Sequence, residues 1–284
     1  MAEAPPGVRR AASGSLVVLV AVGAVLPLAT LALRAAADEW RAPSLLPQRY
    51  GGRGVAEAFA DTSRTAEAVA NSLSVAVATT LLALVLAWPA ARVIGERRLR
   101  RPALVWVLLG LPVIVPSFAT GSGLAEWFIR LGLADTLPGL VLAHLVVVLP
   151  YVVLILASGF GPEVTDLEEA AAVTGVGPAR RLRLVTVPAL APVLAVATLL
   201  GFLVSWSQYG LSLAVGGGTP MLPLELVPFI SADPQVAAVL ALVFLAPALV
   251  AVVLALHLAR RAGVPSPDRR PRAVEPASTF AEVR

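Results

Sequence analysis

Long apolar blocks, separated by polar segments that carry arginine, dominate the chain. A helix needs about 20 apolar residues to cross about 30 Å of hydrocarbon. Six blocks meet that length, and they are residues 15–33, 70–91, 102–121, 139–159, 188–208 and 236–258. This pattern predicts an all-α polytopic membrane protein with six transmembrane helices. Prolines inside membrane helices are tolerated, so those within the blocks are interpreted as kinks rather than breaks: Pro27, Pro89, Pro112, Pro116 and Pro150.

The polar segments divide the chain into five regions. A short N-terminal segment, 1–14, precedes the first span at 15–33, and an extracytoplasmic segment follows at 34–69. A core transmembrane domain is predicted at 70–261, and it contains a long loop at 161–187. Residues 262–284 mix Pro, Arg and small residues without periodicity, which is typical of a disordered tail. Whether residues 55–70 form a surface helix stays open.

Composition agrees with a membrane protein and excludes several kinds of chemistry. The 284 residues are 58% hydrophobic and 14% charged, whereas about 25% of an ordinary soluble domain is charged. There is no Cys, and all 22 basic residues are Arg. A P-loop needs a Lys, so the chain lacks that nucleotide site. No catalytic residue and no metal site are predicted, and because the arginines flank apolar blocks, nucleic acid is not an expected partner.

The distribution of arginine predicts the orientation. Membrane proteins concentrate Arg in cytoplasmic segments close to the spans. With the N-terminus inside, sixteen arginines fall in cytoplasmic segments and six fall outside. The sequence therefore predicts a multi-pass protein with both termini in the cytoplasm.

The cytoplasmic loop 161–187 is rich in helix start and stop signals. Thr165 and Glu168 fit a capping box, with Thr165 as N-cap and Glu168 reaching back to it. Gly175 suits a left-handed residue after a helix, and Gly177 followed by Pro178 suits the start of a second helix. The loop is thus predicted to form two short helices joined at a glycine elbow. One interpretation of this spacing is a rigid docking feature on the cytoplasmic face. The alternative is a structured loop with solvated charges and no docking role.

The loop also carries a motif with fixed spacing. Glu169-Ala170-Ala171 is followed after three residues by Gly175, and then after nine residues by Val185-Thr186-Val187-Pro188. This resembles the EAA motif of binding-protein-dependent ABC importer permeases, whose transmembrane domain is of the MetI-like type. The resemblance covers roughly residues 68–261, and it implies a MetI-like fold of six helices in the bacterial plasma membrane.

The resemblance also implies a function and partners. Such a subunit is non-catalytic, and two cytoplasmic ATP-binding subunits bind the ATP, so no cofactor is expected on this chain. A second permease subunit, identical or related, and an extracytoplasmic solute-binding protein complete the importer. The resemblance makes the loop 161–187 a coupling loop, which transmits ATP-driven closure to the fifth span through Pro188. In this loop Glu169 would contact the ATPase, and Ala170 and Ala171 would allow close approach. Gly175 would form the elbow. The cluster Arg180, Arg181 and Arg183 either pairs with acids or only retains the loop inside.

Polar residues near the ends of the spans are candidates for the translocation path. In the related importers the third and fifth spans line this path, which marks Ser117, Ser205, Ser207, Gln208 and Tyr209. Hydrogen bonding between packed helices is the alternative for these residues. His144 is expected to bond a neighbouring helix rather than move protons. Outside the membrane, Gly216–Gly218 is either a binding-protein contact or a linker, and one bend is expected to hold Glu126, Trp127, Arg130 and Asp135.

The residues near the end of the fifth span resemble those of the polyamine, thiamine, ferric iron and sulfate importers more than those of the sugar importers. An ion-coupled secondary carrier is the alternative function, and a membrane-embedded enzyme is a third. A carrier usually buries carboxylates in its spans, whereas none of the six blocks contains Asp or Glu.

Overall fold

The computed structural model describes residues 6–99 and 101–261. Its helices are α1 Pro6–Ala35, α2 Arg53–Ala58, α3 Thr65–Gly95, α4 Pro102–Ile114, α5 Ser117–Arg130, α6 Leu137–Gly159, α7 Pro162–Val173, α8 Pro178–Arg181, α9 Val187–Ala189, α10 Ala191–Trp206, α11 Tyr209–Val215, α12 Leu222–Ala232 and α13 Pro234–Arg261. A π-helical turn, Leu182–Thr186, joins α8 to α9. The predicted helical class is confirmed, and the predicted tail at 262–284 lies outside the described residues.

Four helices in the described ranges are long and apolar enough to cross a membrane singly. They contain the segments Val18–Ala35, Thr65–Gly95, Leu137–Gly159 and Pro234–Ala251. Two bent pairs, α4 with α5 and the α8–α9 stretch with α10, bring the number to six when each pair counts as one span. The six apolar blocks of the sequence therefore correspond to six helical units, two of which are broken.

The third span is broken rather than kinked, so the prediction for Pro116 was wrong. Helix α4 ends at Ile114, and α5 leaves at an angle of 96° to it. Val115 and Pro116 are both extended, with ψ angles of 129° and 135°. A proline disfavours helical geometry at the residue before it and has no amide hydrogen to continue the ladder, so two prolines four residues apart end the helix here. The predicted bend at 126–135 is partly helical, because α5 continues to Arg130.

The fifth span is bent close to its predicted start. Pro188 lies within α9 rather than at the start of the span. The chain then turns by 75° between Ala189 and Ala191, and α10 runs from there. Pro192 is at the start of α10, where a missing amide hydrogen has no cost because the first turn has no partner for it.

The interface between α3 and α6 is built on small residues. Ala83, Ala87 and Ala91 recur every fourth position of α3 and are fully buried. They face Val152 and Leu156 of α6 in the largest apolar cluster. Residues four apart share one face of a helix, and small residues let two backbones approach closely in a membrane. The opposite face of α3 exposes larger apolar side chains, as is expected of a lipid-facing surface.

The segment 34–69, predicted to be extracytoplasmic, contains short elements of its own. Strands β1 Ala37–Glu39 and β2 Arg49–Tyr50 pair antiparallel, and α2 follows. Arg53 donates to Asp233 at 2.6 Å and 3.1 Å, so this segment is held to the start of α13. The question of a surface helix at 55–70, which the sequence left open, is answered by two separate helices, because α2 ends at Ala58 and α3 begins at Thr65.

The described chain divides into two units. The first ends at Ala246, and the second begins at Pro247. Within the described residues, the second unit consists of the last part of α13, to Arg261.

Candidate coupling loop and translocation site

The loop between α6 and α10 forms the elbow that its sequence predicts. The backbone at Gly175 is left-handed, with φ of +81°. The amide of Val176 donates to the carbonyl of Ala171 at 3.1 Å, and the amide of Gly175 donates to that of Ala172 at 3.0 Å. This pair of bonds is the Schellman arrangement, which satisfies the carbonyls at a helix end. Gly175 is therefore confirmed as the turn point after α7.

The second helix of the loop also begins where predicted. Gly177 is the N-cap of α8, and Pro178 is its first residue. Arg180 and Arg183 are exposed, whereas Arg181 is half-buried. The helix passes through the π-helical turn and α9 without interruption up to the bend before α10. One continuous helical stretch thus connects the elbow to the fifth span.

Helix α7 has two different faces. Glu169, Ala170 and Val173 are exposed, and Val173 exposes 89% of its surface. Val164 and Glu168 are buried on the other side. Val173 and the small side chain of Ala170 lie three residues apart on this exposed face, so the outer side of α7 is uncovered there.

The capping box predicted at Thr165 and Glu168 was wrong. Helix α7 begins four residues earlier, with Gly161 rather than Thr165 as N-cap and Pro162 as its first residue. Thr165 lies inside the first turn, and its hydroxyl donates to the carbonyl of Gly161 at 3.2 Å. Pro162 at the first position is what moves the start, because its fixed φ already suits a helix and it needs no amide partner.

Glu168 instead joins three elements. Its carboxylate accepts hydrogen bonds from the Thr186 hydroxyl and from the Arg92 guanidinium at the end of α3. Burial raises the pKa of the Glu168 carboxyl, but the hydrogen bonds from Thr186 and Arg92 and the charge of Arg92 outweigh it, so this pKa lies below its ordinary value. Glu168 is therefore a charged acceptor at the junction of α3, α7 and the π-helical turn.

The translocation candidates differ in burial and in hydrogen bonding. Ser205 is buried, and its hydroxyl is 2.9 Å from Nδ1 of His144. Ser207 is exposed and bonds its own helix, through the carbonyl of Val204. Tyr209 is also exposed, whereas the Gln208 side-chain oxygen is buried and has no hydrogen-bond partner within the described residues. For Ser205, the structure shows the alternative of hydrogen bonding between packed helices.

His144 is fully buried and fully used. Its Nε2 is 3.2 Å from the hydroxyl of Ser212, which donates its own hydrogen to the carbonyl of Gln208. Nε2 must therefore carry a hydrogen, and Nδ1 accepts from Ser205. Both ring nitrogens are thus hydrogen-bonded, one to Ser205 of α10 and the other to Ser212 of α11. This agrees with the expected bond to neighbouring helices.

Two further candidates pack against α11. A Cβ placed on Gly210 would lie 2.7 Å from the hydroxyl oxygen of Ser117, so α5 begins in close contact with α11. The loop Gly216–Gly218, predicted as either a binding-protein contact or a linker, is bonded to Asp135. Asp135 Oδ1 accepts from the amide of Gly218 at 2.7 Å, and the amide of Asp135 donates to the carbonyl of Val215 at 3.0 Å.

Residues 80–264 match the family model described as "binding-protein-dependent transport system inner membrane component". The chain belongs to this family. The loop 161–187, α6, α10 and the second half of α3 lie within the matched residues. The permease is thus the membrane component of an ABC importer, which decides against the ion-coupled carrier and the membrane-embedded enzyme.

Relatives of the permease are named after different solutes. It is 36% identical over 197 residues to a putative ABC transporter permease of Streptomyces antibioticus, a match that covers 66% of this chain and 82% of the relative. It is 33% identical to the trehalose permease SugB of Mycobacterium tuberculosis, over 52% and 54% of the two chains. It is 30% identical to the molybdenum permease ModB of Mycobacterium bovis, over 69% and 80%.

A solved structure supports the fold. The permease matches a chain of a bacterial ABC transporter that imports the acidic polysaccharide alginate, with a TM-score of 0.70 over 90% of this chain and 99% of that one. The two are 16% identical, so this likeness shows the fold alone. The predicted MetI-like permease fold is confirmed by this match together with the family model.

Sequence reasoning missed several residues of the permease that the structure brings together. Arg92 was interpreted only as a topology signal, although its spacing to Glu96 is that of a helical ion pair. Its bond to Glu168 joins positions 76 residues apart, and no local pattern indicates such a contact. Thr186 was noted only as part of the motif, and Ser212 was not singled out.

Proposed function

We propose that this permease subunit is driven by ATP-binding subunits that dock on the exposed face of α7, and that it conducts a small solute delivered by an extracytoplasmic binding protein. The observation that carries this proposal is the exposed face formed by Glu169, Ala170 and Val173. It stands on a helix that the Gly175 elbow and the buried Glu168 hold in a defined direction.

The orientation and the partners belong to the same proposal. With sixteen of 22 arginines on the side of the coupling loop, both termini and α7 are cytoplasmic, where ATP is available. The chain itself binds no nucleotide, because without lysine it lacks the P-loop residue that contacts the phosphates. A second permease subunit, identical or related, completes the path. The arginines of α8 and the π-helical turn, Arg180, Arg181 and Arg183, are available for acids on the ATPase.

For the solute, we favour the branch that includes polyamine, thiamine, ferric iron and sulfate importers. The support is the sequence Ser-Trp-Ser-Gln-Tyr-Gly at positions 205–210. Because relatives are named after trehalose and molybdenum, a sugar and an oxyanion of molybdenum are also tested as solutes. Binding of spermidine, thiamine, ferric citrate, sulfate, molybdate and trehalose to the cognate binding protein, followed by uptake, tests this. If the binding protein bound trehalose alone among these solutes, the favoured branch would be contradicted.

Docking on α7 is tested by a matched pair of substitutions. Ala170 and Ala56 are both exposed alanines in helices, one on α7 and the other on the extracytoplasmic α2. Ala170→Arg places a long charged side chain in the docking face, and we expect the ATP-binding subunit to be lost on co-purification. Ala56→Arg is expected to retain it. The permease purified alone is expected to hydrolyse no ATP. Full retention of the ATPase by Ala170→Arg would remove the proposal.

A further inference from the structure

The inner face of α7 is attached to two different parts of the transmembrane domain through one carboxylate. Glu168 exposes 6% of its surface, and its two oxygens are shared between the Arg92 guanidinium and the Thr186 hydroxyl. A second nitrogen of Arg92 lies 3.4 Å from Glu168 Oε1. Bidentate contact of this kind fixes both the distance and the plane of the two groups, which a single hydrogen bond does not.

The Arg92 side of this junction is rigid. Its Nε donates to Glu96 at 2.8 Å, and the carboxylate of Glu96, itself 8% exposed, also accepts from Arg98 at 2.8 Å. Three residues after Arg92, the backbone of Gly95 is so close to α6 that a Cβ there would meet the carbonyl oxygens of Phe160 and Ala157. Arg92 is therefore fixed to the packed end of the α3–α6 pair.

The Thr186 side leads to the fifth span. Thr186 is fully buried and is the last residue of the π-helical turn, three residues before the bend that begins α10. A π-helical turn has a wider ladder than the α-helix on either side, and such turns occur frequently at functional sites. The hydroxyl of Thr186 thus connects α7 to the segment in which the helix changes direction.

We propose that Glu168, through Arg92 and Thr186, is a positioning residue that makes α7, the end of α3 and the entry to α10 move as one body when the ATP-binding subunits close. This rests on the proposed docking of those subunits on α7. Glu168 is on the inner face and Glu169 on the outer face, so one residue transmits the displacement and its neighbour receives it. A loop merely retained inside by its charge needs no buried carboxylate shared between two spans.

The experiment uses two spin labels in the full importer, purified with its ATP-binding subunits and placed in lipid nanodiscs. Because the chain has no cysteine, Ala172→Cys on α7 and Val93→Cys on α3 introduce the only thiols of this subunit, and both residues are exposed. The label-to-label distance is measured by pulsed electron paramagnetic resonance without nucleotide and with MgATP and vanadate. We expect one narrow distance that is the same in both states.

Substitutions then break the junction at one atom or one charge. Thr186→Val removes the hydroxyl with little change of shape, and Glu168→Gln removes the charge that Arg92 neutralises. We expect both to keep the ATP-binding subunit but to broaden the distance distribution and make it nucleotide-dependent. Thr186→Ser restores the hydroxyl and is expected to restore the narrow distance. The parent is the double-cysteine protein without a further substitution. Glu163 is an exposed acid on the same helix, so Glu163→Gln is the control and is expected to behave as the parent.

The outcomes separate this inference from the docking proposal. Loss of the ATP-binding subunit from Ala170→Arg supports docking whatever the labels show. A parent distance that changes with nucleotide would overturn the inference, because α7 would then move relative to α3. Parent-like narrow distances in both Thr186→Val and Glu168→Gln would also overturn it. A broad distance in Thr186→Ser would reduce Thr186 to a packing role and contradict its part in the junction.

Discussion

The glycine elbow allows a sharp test because two nearby glycines of the loop are equally open to a larger side chain but differ in the sign of φ. Gly175 and Gly177 are both exposed, and a Cβ on either would meet no atom within 4 Å. Gly175 has φ of +81°, whereas Gly177 has φ of −63°, a value that every residue adopts. The substitutions Gly175→Ala and Gly177→Ala therefore add the same methyl group to open space, but only Gly175→Ala forces a residue with a Cβ into the left-handed region.

The size of the effect follows from that strain. A residue with a Cβ in the left-handed region costs about 1–2 kcal/mol. Since no clash adds to this at Gly175, the elbow should weaken rather than collapse. If only the native elbow presents α8 to the ATPase, affinity should fall by about 5- to 30-fold for Gly175→Ala. Gly175→Asn should lose less, because Asn tolerates this region, and the β-branched Gly175→Val should lose most.

The assay is the dissociation constant of the ATP-binding subunit for the permease in nanodiscs, measured for each variant beside the yield of inserted protein. Insertion should be unchanged, because lipid burial and internal helix bonds hold the spans. Equal losses from Gly175→Ala and Gly177→Ala would refute the argument, since the sign of φ would then have no consequence. Wild-type affinity in Gly175→Val would refute the role of the elbow in docking.

Three further outcomes are expected. Reporter fusions should give an external signal after Gly218 and a cytoplasmic signal after Arg261, and the reverse would invalidate the orientation. His144→Phe should lower the free energy of unfolding in detergent by about 1–2 kcal/mol, because two buried hydrogen bonds are lost, and Ser205→Ala should cost about half as much; no loss would mean that the contact is not formed. The lowered pKa of Glu168 adds stability above the ordinary carboxyl pKa, and this stability is lost only as the pH falls through the lowered value. Hydrogen exchange in α7, corrected for its intrinsic rate, should therefore be unchanged from pH 7 to pH 5 and rise only below about pH 4; a rise near pH 6 would contradict it.

Features that depend on local chemistry could be predicted from the sequence. The apolar blocks located the helices because a spanning length of uncharged residues has one stable environment. Gly175 and Gly177-Pro178 located the elbow and the second helix because their backbone preferences act within a few residues. The coupling motif identified the loop, and the family match confirmed the kind of protein.

Where two local signals favoured different structures, the prediction made from the sequence was wrong. Thr165 and Glu168 have capping-box spacing, but Pro162 starts the helix earlier and leaves Glu168 on its inner face. Pro116 resembles the other prolines of the spans, yet only there do two extended residues end the helix. The result depends on which arrangement the surrounding helices can pack, and this information is not in the segment itself.

What the sequence by itself determined is the class of protein, its membrane spans and the elbow of its coupling loop, because hydrophobic length and backbone preference act locally. Only the tertiary structure decided that Glu168 bonds Arg92 and Thr186, that His144 is held between Ser205 and Ser212, and that Asp135 fixes the loop at Gly218. Each of these contacts joins residues far apart in the chain, and a buried polar group takes whichever partner the packed helices bring within reach.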